Sequence, residues 1–213
     1  MQIFPLKKLE LYLEQIETPK EILKVPLEQY IIPAKLAATI LHIAAYTYGD
    51  IVGRTICDFG CGTGRLTIGS AIIGANYVIG IDIDFNLLRV ARDYVNYFNL
   101  AKKIDLICGN IEYFCVHCDT VIQNPPFGTK RAHMDIIFLK QALKSAKVIY
   151  SLHKHSLKIQ KFIRKKINEF GGIIDKIIPL VFEIPYQFPY HNKQKYYVKI
   201  DLYRIVQKRN IKV

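Results

Sequence analysis

Asn124, Pro125, Pro126 and Phe127 follow a short apolar run, and their residue types can hold a planar amine. An amino group conjugated to a ring is a poor nucleophile, because its lone pair is delocalised into the ring. Acceptors for both of its hydrogens are available here, since Asn124 offers its side-chain carbonyl and Pro125 its backbone carbonyl. The prolines fix φ, and Phe127 gives an apolar face on which a planar ring can stack. The four residues are candidate catalytic residues; the alternative is an ordinary turn, which Asn-Pro often starts.

A second group, Gly60, Gly62 and Gly64, follows the apolar run 55–59 and precedes a helical pattern. Alternating glycines let the backbone adopt positive φ and approach a ligand closely. The spacing matches neither the dinucleotide fingerprint nor the P-loop. A second apolar run, 77–81, then ends at Asp82. A carboxylate there can accept the hydroxyls of a bound ribose; the alternative is that Asp82 caps the next helix.

Four segments resemble the methyltransferase-like-five family of class I S-adenosylmethionine-dependent methyltransferases. They are 28–30 (Glu-Gln-Tyr), 82–84 (Asp-Ile-Asp), 124–130 (Asn-Pro-Pro-Phe-Gly-Thr-Lys) and 151–154 (Ser-Leu-His-Lys). The similarity extends from residue 6 to the last predicted strand. It implies N6-methylation of one adenosine in small-subunit ribosomal RNA, with S-adenosyl-L-methionine as the cofactor. It also implies a small zinc-ribbon activator subunit, which forms a heterodimer by adding a strand to the edge strand 104–108.

The resemblance also implies roles for individual positions. Asn110 and Ile111 fall where the family contacts the adenine of the cofactor, and Gln29 matches a further cofactor contact. Asn110 replaces the usual Asp but keeps an acceptor carbonyl, whereas Ile32 replaces a Thr and lacks its hydroxyl. The expected cofactor-binding residues are Gln29, Asp58, Gly60, Cys61, Gly62, Thr63, Gly64, Arg65, Asp82, Asn110 and Ile111.

The hydrophobic pattern predicts an α/β fold in which strands alternate with helices. Helices are expected near 6–16, 33–46, 64–74, 85–98, 132–145 and 156–170, and strands near 55–59, 77–81, 104–108, 119–123, 147–151, 173–183 and 196–206. Apolar strands that alternate with helices indicate a mostly parallel sheet covered on both faces. With the resemblance, this predicts a Rossmann-like, seven-stranded class I methyltransferase. The prediction is one domain, 1–213, with an N-terminal helical extension (1–50) before the catalytic core (51–213).

The chain of 213 residues has a formal net charge of +12. Such an excess of positive charge favours polyanionic partners, which beside an adenine-type site means RNA. Clusters of basic residues can equally be solvated surfaces. Aromatic residues of the 185–194 loop could stack on bases or close the core. The expected RNA contacts are Lys130, Arg131, Lys154, Tyr190, Lys193 and Lys195.

Five cysteines and the absence of a long apolar run are typical of a protein in the reducing cytoplasm. Cys115 and Cys118 have the spacing of zinc ligands, but a single pair is incomplete for a structural zinc site, and a disulfide between them is an open alternative. We therefore expect no metal, no membrane span and a cytoplasmic location.

Three alternative functions share some of these features. A DNA adenine methyltransferase would need the same amine-binding turn, but no DNA target-recognition segment is evident. A protein glutamine N5-methyltransferase must also activate a poorly nucleophilic nitrogen, that of a glutamine amide, and uses the same kind of turn. Such an enzyme usually has Tyr where Phe127 stands. A non-enzymatic alternative is an inactive RNA-binding module, against which the intact Asn124, Asp82 and glycines speak.

Overall fold

The computed structural model describes residues 3–17, 19, 23, 31–126, 134–185 and 195–208. The elements alternate much as the hydrophobic pattern predicts. The helices are α1 (Leu6–Glu14), α2 (Ala34–His42), α3 (Arg65–Ile72), α4 (Phe85–Tyr97), α5 (Met134–Ser145) and α6 (Leu157–Glu169). The strands are β1 (Thr55–Phe59), β2 (Tyr77–Asp82), β3 (Ile104–Cys108), β4 (Cys118–Gln123), β5 (Ala146–Lys154), β6 (Gly172–Pro185) and β7 (Lys195–Gln207).

The seven strands form one sheet in the order β3-β2-β1-β4-β5-β7-β6. Strands β1 to β5 are parallel to one another, whereas β7 is antiparallel to both β5 and β6. The predicted mostly parallel, seven-stranded α/β fold is confirmed, and β3 is an edge strand as expected. The strand order reverses between β1 and β4, and the carboxyl ends at such a reversal are where open α/β sheets bind ligands.

The two faces of the sheet carry separate cores because successive side chains of a strand point in opposite directions. Ile56 and Ile122 belong to the core formed with α1, α2 and α3. Cys57 and Val121, each adjacent in sequence to one of these residues, belong to the core formed with α5 and α6. The sheet is therefore covered on both faces, and its carboxyl edge remains for the loops that follow β1, β2, β3 and β4.

The observed elements differ from the predicted ones mainly at their ends. Helix α2 stops at His42 and continues as a π-helical turn, Ile43–Thr47, and a short 3₁₀ turn, Ile111–Tyr113, was not predicted. Strands β6 and β7 are longer than expected. Their pairing continues to Pro185 and Lys195, beyond the Lys154–Ile200 pair where β5 ends. Among the described residues, no helix is both long and apolar enough to cross a membrane.

Candidate active site

A cavity of about 320 Å³ lies at the carboxyl ends of β1, β2 and β4. It brings together residues that the sequence analysis selected at or after the ends of four strands, β1, β2, β3 and β4. These are Asp58, Gly60, Cys61, Gly62, Thr63, Arg65, Asp82, Asn110, Ile111, Asn124, Pro125 and Pro126.

The glycine-rich turn after β1 is fixed by backbone hydrogen bonds. The amides of Gly60 and Cys61 both donate to the carbonyl of Ile81, at 2.8 and 3.0 Å. Gly60 and Gly62 have φ of 72° and 55°, which is the left-handed region that favours glycine. Gly64, with φ of 85°, is the N-cap of α3 and does not line the cavity. Gly60 and Gly62 thus bring backbone to the cavity, whereas Gly64 starts the helix.

Asp82, at the end of β2, joins this turn to the next loop. Its Oδ2 accepts from the amide of Gly62 and its Oδ1 from the amide of Asp84, both at 2.8 Å. Burial raises the pKa of Asp82 despite these hydrogen bonds. The alternative that Asp82 caps the next helix is wrong, because the N-cap of α4 is Asp84, whose Oδ1 accepts from the amide of Asn86 at 3.0 Å.

Asp58, within β1, has one carboxylate oxygen satisfied and one not. The Thr67 hydroxyl donates to Oδ2 at 2.6 Å. In the part of the chain that the structure describes, buried Oδ1 has no hydrogen-bond partner. Burial raises the pKa of Asp58 to about 7, and the charge of Asp82 adds to the rise while Thr67 opposes it. An orphaned carboxylate oxygen beside a cavity is a site at which a cationic ligand group can bind.

Arg65 lines the cavity but directs its guanidinium to the N-terminal region. Its Nη1 donates to the carbonyl of Ile32 and its Nη2 to the carbonyl of Ile16, both at 2.6 Å. Burial lowers the pKa of Arg65. The observed contacts hold the N-terminal region against the glycine turn, and Ile32 itself lines the cavity.

Asn110 and Ile111, which follow β3, line the cavity as expected. The side-chain carbonyl of Asn110 accepts from the amide of Glu112 at 3.0 Å and caps the 3₁₀ turn. A carbonyl oxygen has two lone pairs, so this acceptor retains capacity for a second donor. Ile111 is buried.

The predicted amine-binding turn directly follows β4. Asn124, Pro125 and Pro126 line the same cavity as Asp58 and Asp82. The predicted residues Phe127, Gln29, Lys130, Arg131, Tyr190 and Lys193 lie outside the described residues. Lys154 is exposed at the end of β5 and does not line the cavity, and Lys195 begins β7.

The sequence analysis did not identify a buried polar network behind this turn, formed by Gln123, Ser151 and His153. The Gln123 side-chain amide donates to the Ser151 hydroxyl at 3.0 Å, and that hydroxyl lies 2.9 Å from His153 Nε2. All three residues are at most 2% exposed. The Ser-Leu-His-Lys segment was a signal for this region, but its link to Gln123 depends on the pairing of β4 with β5. The network supports the last residue of β4, immediately before Asn124.

The apolar wall of the cavity was also not predicted. Leu87, Met134 and Phe138 come from α4 and α5 and face the cavity. A Cβ on Gly60 would lie 3.1 Å from the Phe138 ring, so this side chain packs closely on the turn. In the sequence these three apolar residues have the helical spacing of ordinary core residues, so nothing distinguishes them as residues that line a cavity.

Comparisons with known proteins agree with this arrangement. The family model for ribosomal protein L11 methyltransferase (PrmA) matches residues 37–125. The rRNA N(6)-adenosine-methyltransferase METTL5 of Danio rerio is 35% identical over 205 residues, which span 93% of this chain and 97% of that protein. The Drosophila melanogaster protein of the same name is 34% identical over 208 residues, which span 93% and 95%.

A solved structure extends the similarity to three dimensions. The crystal structure of PH1948 from Pyrococcus horikoshii, a protein provisionally named an RNA methyltransferase, superimposes with a TM-score of 0.84 at 33% identity. The match covers 97% of this chain and 99% of that chain. The chain therefore belongs to the METTL5 family of rRNA N6-adenosine methyltransferases and has the class I methyltransferase fold.

Proposed function

We propose that this protein transfers the methyl group of S-adenosyl-L-methionine to N6 of an adenosine in small-subunit ribosomal RNA. The observation that carries the proposal is the shared cavity, in which Asn124 and Pro125 lie with Asp58 and Asp82. One part of the cavity thus offers carboxylates for a cofactor, and the other offers acceptors for an amine. The METTL5 relatives, named as rRNA N6-adenosine methyltransferases, support this choice of substrate.

The residues present fit the cofactor. Oδ1 of Asp58 can accept from an α-ammonium group, which would satisfy the orphaned oxygen. The carboxylate of Asp82 keeps free lone pairs for ribose hydroxyls, and Asn110 keeps one for the adenine amine. When bound, the cofactor supplies an electrophilic methyl group on a sulfonium sulfur.

Asn124 and Pro125 prepare the amine of the target adenosine. The base must leave its stack so that its amino group can reach the cavity. The Asn124 side-chain carbonyl and the Pro125 backbone carbonyl then accept hydrogen bonds from the two amino hydrogens. These bonds turn the nitrogen lone pair toward the methyl group. The new N–C bond forms as the S–C bond breaks, and the amine releases one proton to solvent. Rate enhancement arises mainly from positioning and preorganised acceptors.

No strong general base is required by this mechanism. The nitrogen becomes acidic as it acquires positive charge, so water suffices to remove the proton. Phe127 completes the site by stacking on the adenine in this proposal. A cytoplasmic location would follow from a ribosomal RNA substrate.

The protein partner proposed for this chain is a small zinc-ribbon activator that pairs with β3. The amide of Gly109 donates to the carbonyl of Asp82 in β2, and the carbonyl of Lys103 accepts from the amide of Val78 in β2. Because alternate residues of a parallel strand point to the same side, the amides of Ile104, Leu106 and Cys108 point away from β2. These groups form an open edge to which a partner can add a strand.

The test is a side-by-side transfer assay with labelled S-adenosyl-L-methionine. Small-subunit rRNA, duplex DNA and a release-factor protein are offered separately to the pure protein with and without the activator. Mass spectrometry of the digested RNA should detect N6-methyladenosine. Label in DNA or in glutamine, with none in RNA, would support the corresponding alternative enzyme instead.

A further inference from the structure

The outward face of α6 is strongly basic. Its apolar side is fixed by Ile163 and Ile167, which are fully buried against the sheet. Lys158, Lys161 and Lys165 are exposed on the opposite side. Their spacing of three and four residues places them in one row along the helix. We call these three lysines the α6 ridge.

The charge of this ridge is only partly balanced within the helix. The only acidic residue of α6 is Glu169, whose carboxylate binds Lys166 Nζ at 2.8 Å and also feels the charge of Lys165. Lys158 and Lys161 have no acidic residue of the helix within one turn. Lys161 and Lys165 are one turn apart, and like charges at this spacing destabilise a helix. Lys158 lies in the first turn, where the helix dipole is positive and where α6 has no acidic residue. A bound polyanion would relieve both repulsions.

The ridge begins at the same edge of the sheet as the candidate active site. Gln123 of β4 pairs with Ser151 of β5, and Asn124 follows Gln123 directly. Lys154, the last residue of β5, is three residues beyond this pair, or about 10 Å along the strand. Helix α6 starts after two more residues and runs back across the sheet for about 20 Å. The ridge therefore leads away from the edge where Asn124 lies.

Strand β7 adds a further positive charge at the start of this path. The amide of His155 donates to the carbonyl of Lys199 at 3.2 Å, which brings β7 beside the beginning of α6. Lys199 is exposed. Exposed lysines thus stand on β7 beside the start of α6 and along the first two turns of the helix.

We propose that the α6 ridge binds the phosphate backbone of the ribosomal RNA beside the methylated adenosine. This inference rests on the proposed function, because it takes the RNA to be the strand whose adenosine enters the cavity. Lysines act on phosphates as flexible point charges, so the ridge positions the RNA without reading its bases. Selection of the adenosine is left to the cavity and to the fold of the RNA.

The test compares two triple variants with the same loss of charge. The first, K158A/K161A/K165A, removes the ridge. The second, K140A/K144A/K147A, removes three exposed lysines of α5 and β5 that lie toward the opposite edge of the sheet. Binding of a fluorescent small-subunit rRNA fragment is measured by anisotropy over a series of salt concentrations. S-adenosyl-L-methionine affinity, measured by calorimetry, shows whether each variant is folded.

The ridge variant should lose at least about tenfold in RNA affinity near physiological salt, and its salt dependence should fall by about two to three ion equivalents. Its cofactor affinity and its kcat at saturating RNA should be unchanged, while KM for RNA rises. The fold-loss of RNA affinity in the control variant should be less than about a third of the fold-loss in the ridge variant. Equal losses in the two variants, or an unchanged salt slope for the ridge variant, would overturn the proposal.

Two further outcomes separate this inference from the proposed function. If the wild-type protein binds RNA through the ridge but forms no N6-methyladenosine, the proposed function fails and the ridge stands. If the ridge variant keeps its RNA affinity but no longer binds the activator subunit, the ridge belongs to a protein interface and the inference fails.

Discussion

Asn124 is the residue on which the proposed chemistry most depends, because it directly follows β4 and lines the cavity. We expect Asn124→Ala to lower methyl transfer by about 100-fold or more, since one preorganised acceptor is lost. Cofactor affinity should change little, because in the proposed arrangement Asn124 contacts the substrate amine. Rates are measured with labelled cofactor and affinity by calorimetry. Residual transfer above about a tenth of wild type would contradict this role.

Asp82 is expected to hold the cofactor both directly and through the glycine turn. Asp82→Ala removes the acceptor that we propose for the ribose hydroxyls and the observed acceptor for the amides of Gly62 and Asp84. We expect cofactor binding to weaken by about 2–3 kcal/mol. Asp84→Ala is the matched control, because Asp84 caps α4 but does not line the cavity. Calorimetry that shows the same small loss for both variants would make Asp82 purely structural.

Asp58 should couple cofactor binding to pH. Its pKa in the folded protein is raised to about 7 from an ordinary 3.8, so its contribution to stability is complete below about pH 3.8 and is lost as pH rises through 7. A bound ammonium favours the ionised carboxylate, and binding below pH 7 should therefore release a proton. Affinity should rise up to about pH 7 and fall above about pH 8, where the α-amino group of the cofactor loses its charge.

Calorimetry in buffers of different ionisation enthalpy measures this proton release. In Asp58→Asn the affinity should be lower and independent of pH between about 5 and 7, because no carboxyl titrates at that position. Binding by the wild-type protein at pH 6 without proton release would show that no cation contacts Asp58.

At the scale of elements, the pairing of β5 with β7 places His153 opposite Asp201, in an interior that favours the neutral imidazole. Burial lowers its pKa to about 3, and the charge of Asp201 only partly opposes this effect. The imidazole of the unfolded chain titrates near 6.5. Stability from the neutral imidazole is therefore complete above pH 6.5 and is lost as pH falls toward 3, by at most about 1.4 kcal/mol per pH unit.

Urea unfolding at two pH values tests this account. When the pH is lowered from about 7.5 to 5.5, the free energy of unfolding of the wild-type protein should fall by about 1 kcal/mol more than that of His153→Gln, which has no imidazole at this position. The comparison uses the pH-dependent difference, so a lower absolute stability of the variant does not affect it. Equal pH dependence in the two proteins would show that His153 titrates normally.

At the scale of the whole molecule, β3 leaves one edge of the sheet unpaired within the described residues. We expect the isolated protein to be poorly soluble or weakly active, and the activator to form a heterodimer by pairing with this strand. Leu106→Pro removes an amide that points away from β2, so it should weaken the heterodimer far more than a charge reversal on the surface.

Leu106→Ala is the control, because it also shortens the side chain but keeps the amide. Gel filtration of each variant with the activator should show loss of the heterodimer for proline and its retention for alanine. A monomeric protein that is fully active without a partner would refute the prediction.

The sequence by itself determined the order of the elements and most of the cavity. The glycine turn after β1, Asp82 after β2 and the Asn-Pro-Pro turn after β4 were predicted because each is a local pattern at the end of an apolar strand. Parallel strands then bring such ends to one edge of the sheet, whatever the details of packing. For the same reason, the seven strands were predicted to within a few residues.

Only the tertiary structure decided which polar groups are satisfied and which are not. Arg65 contacts the carbonyl of Ile16, 49 positions away, and Gln123 contacts Ser151, 28 positions away. The unpaired oxygen of Asp58 likewise depends on its burial beside the cavity. Hydrogen-bond partners and pKa shifts arise from distances between segments remote in sequence. Residue type and spacing do not contain these distances, and the packing of the helices on the sheet fixes them.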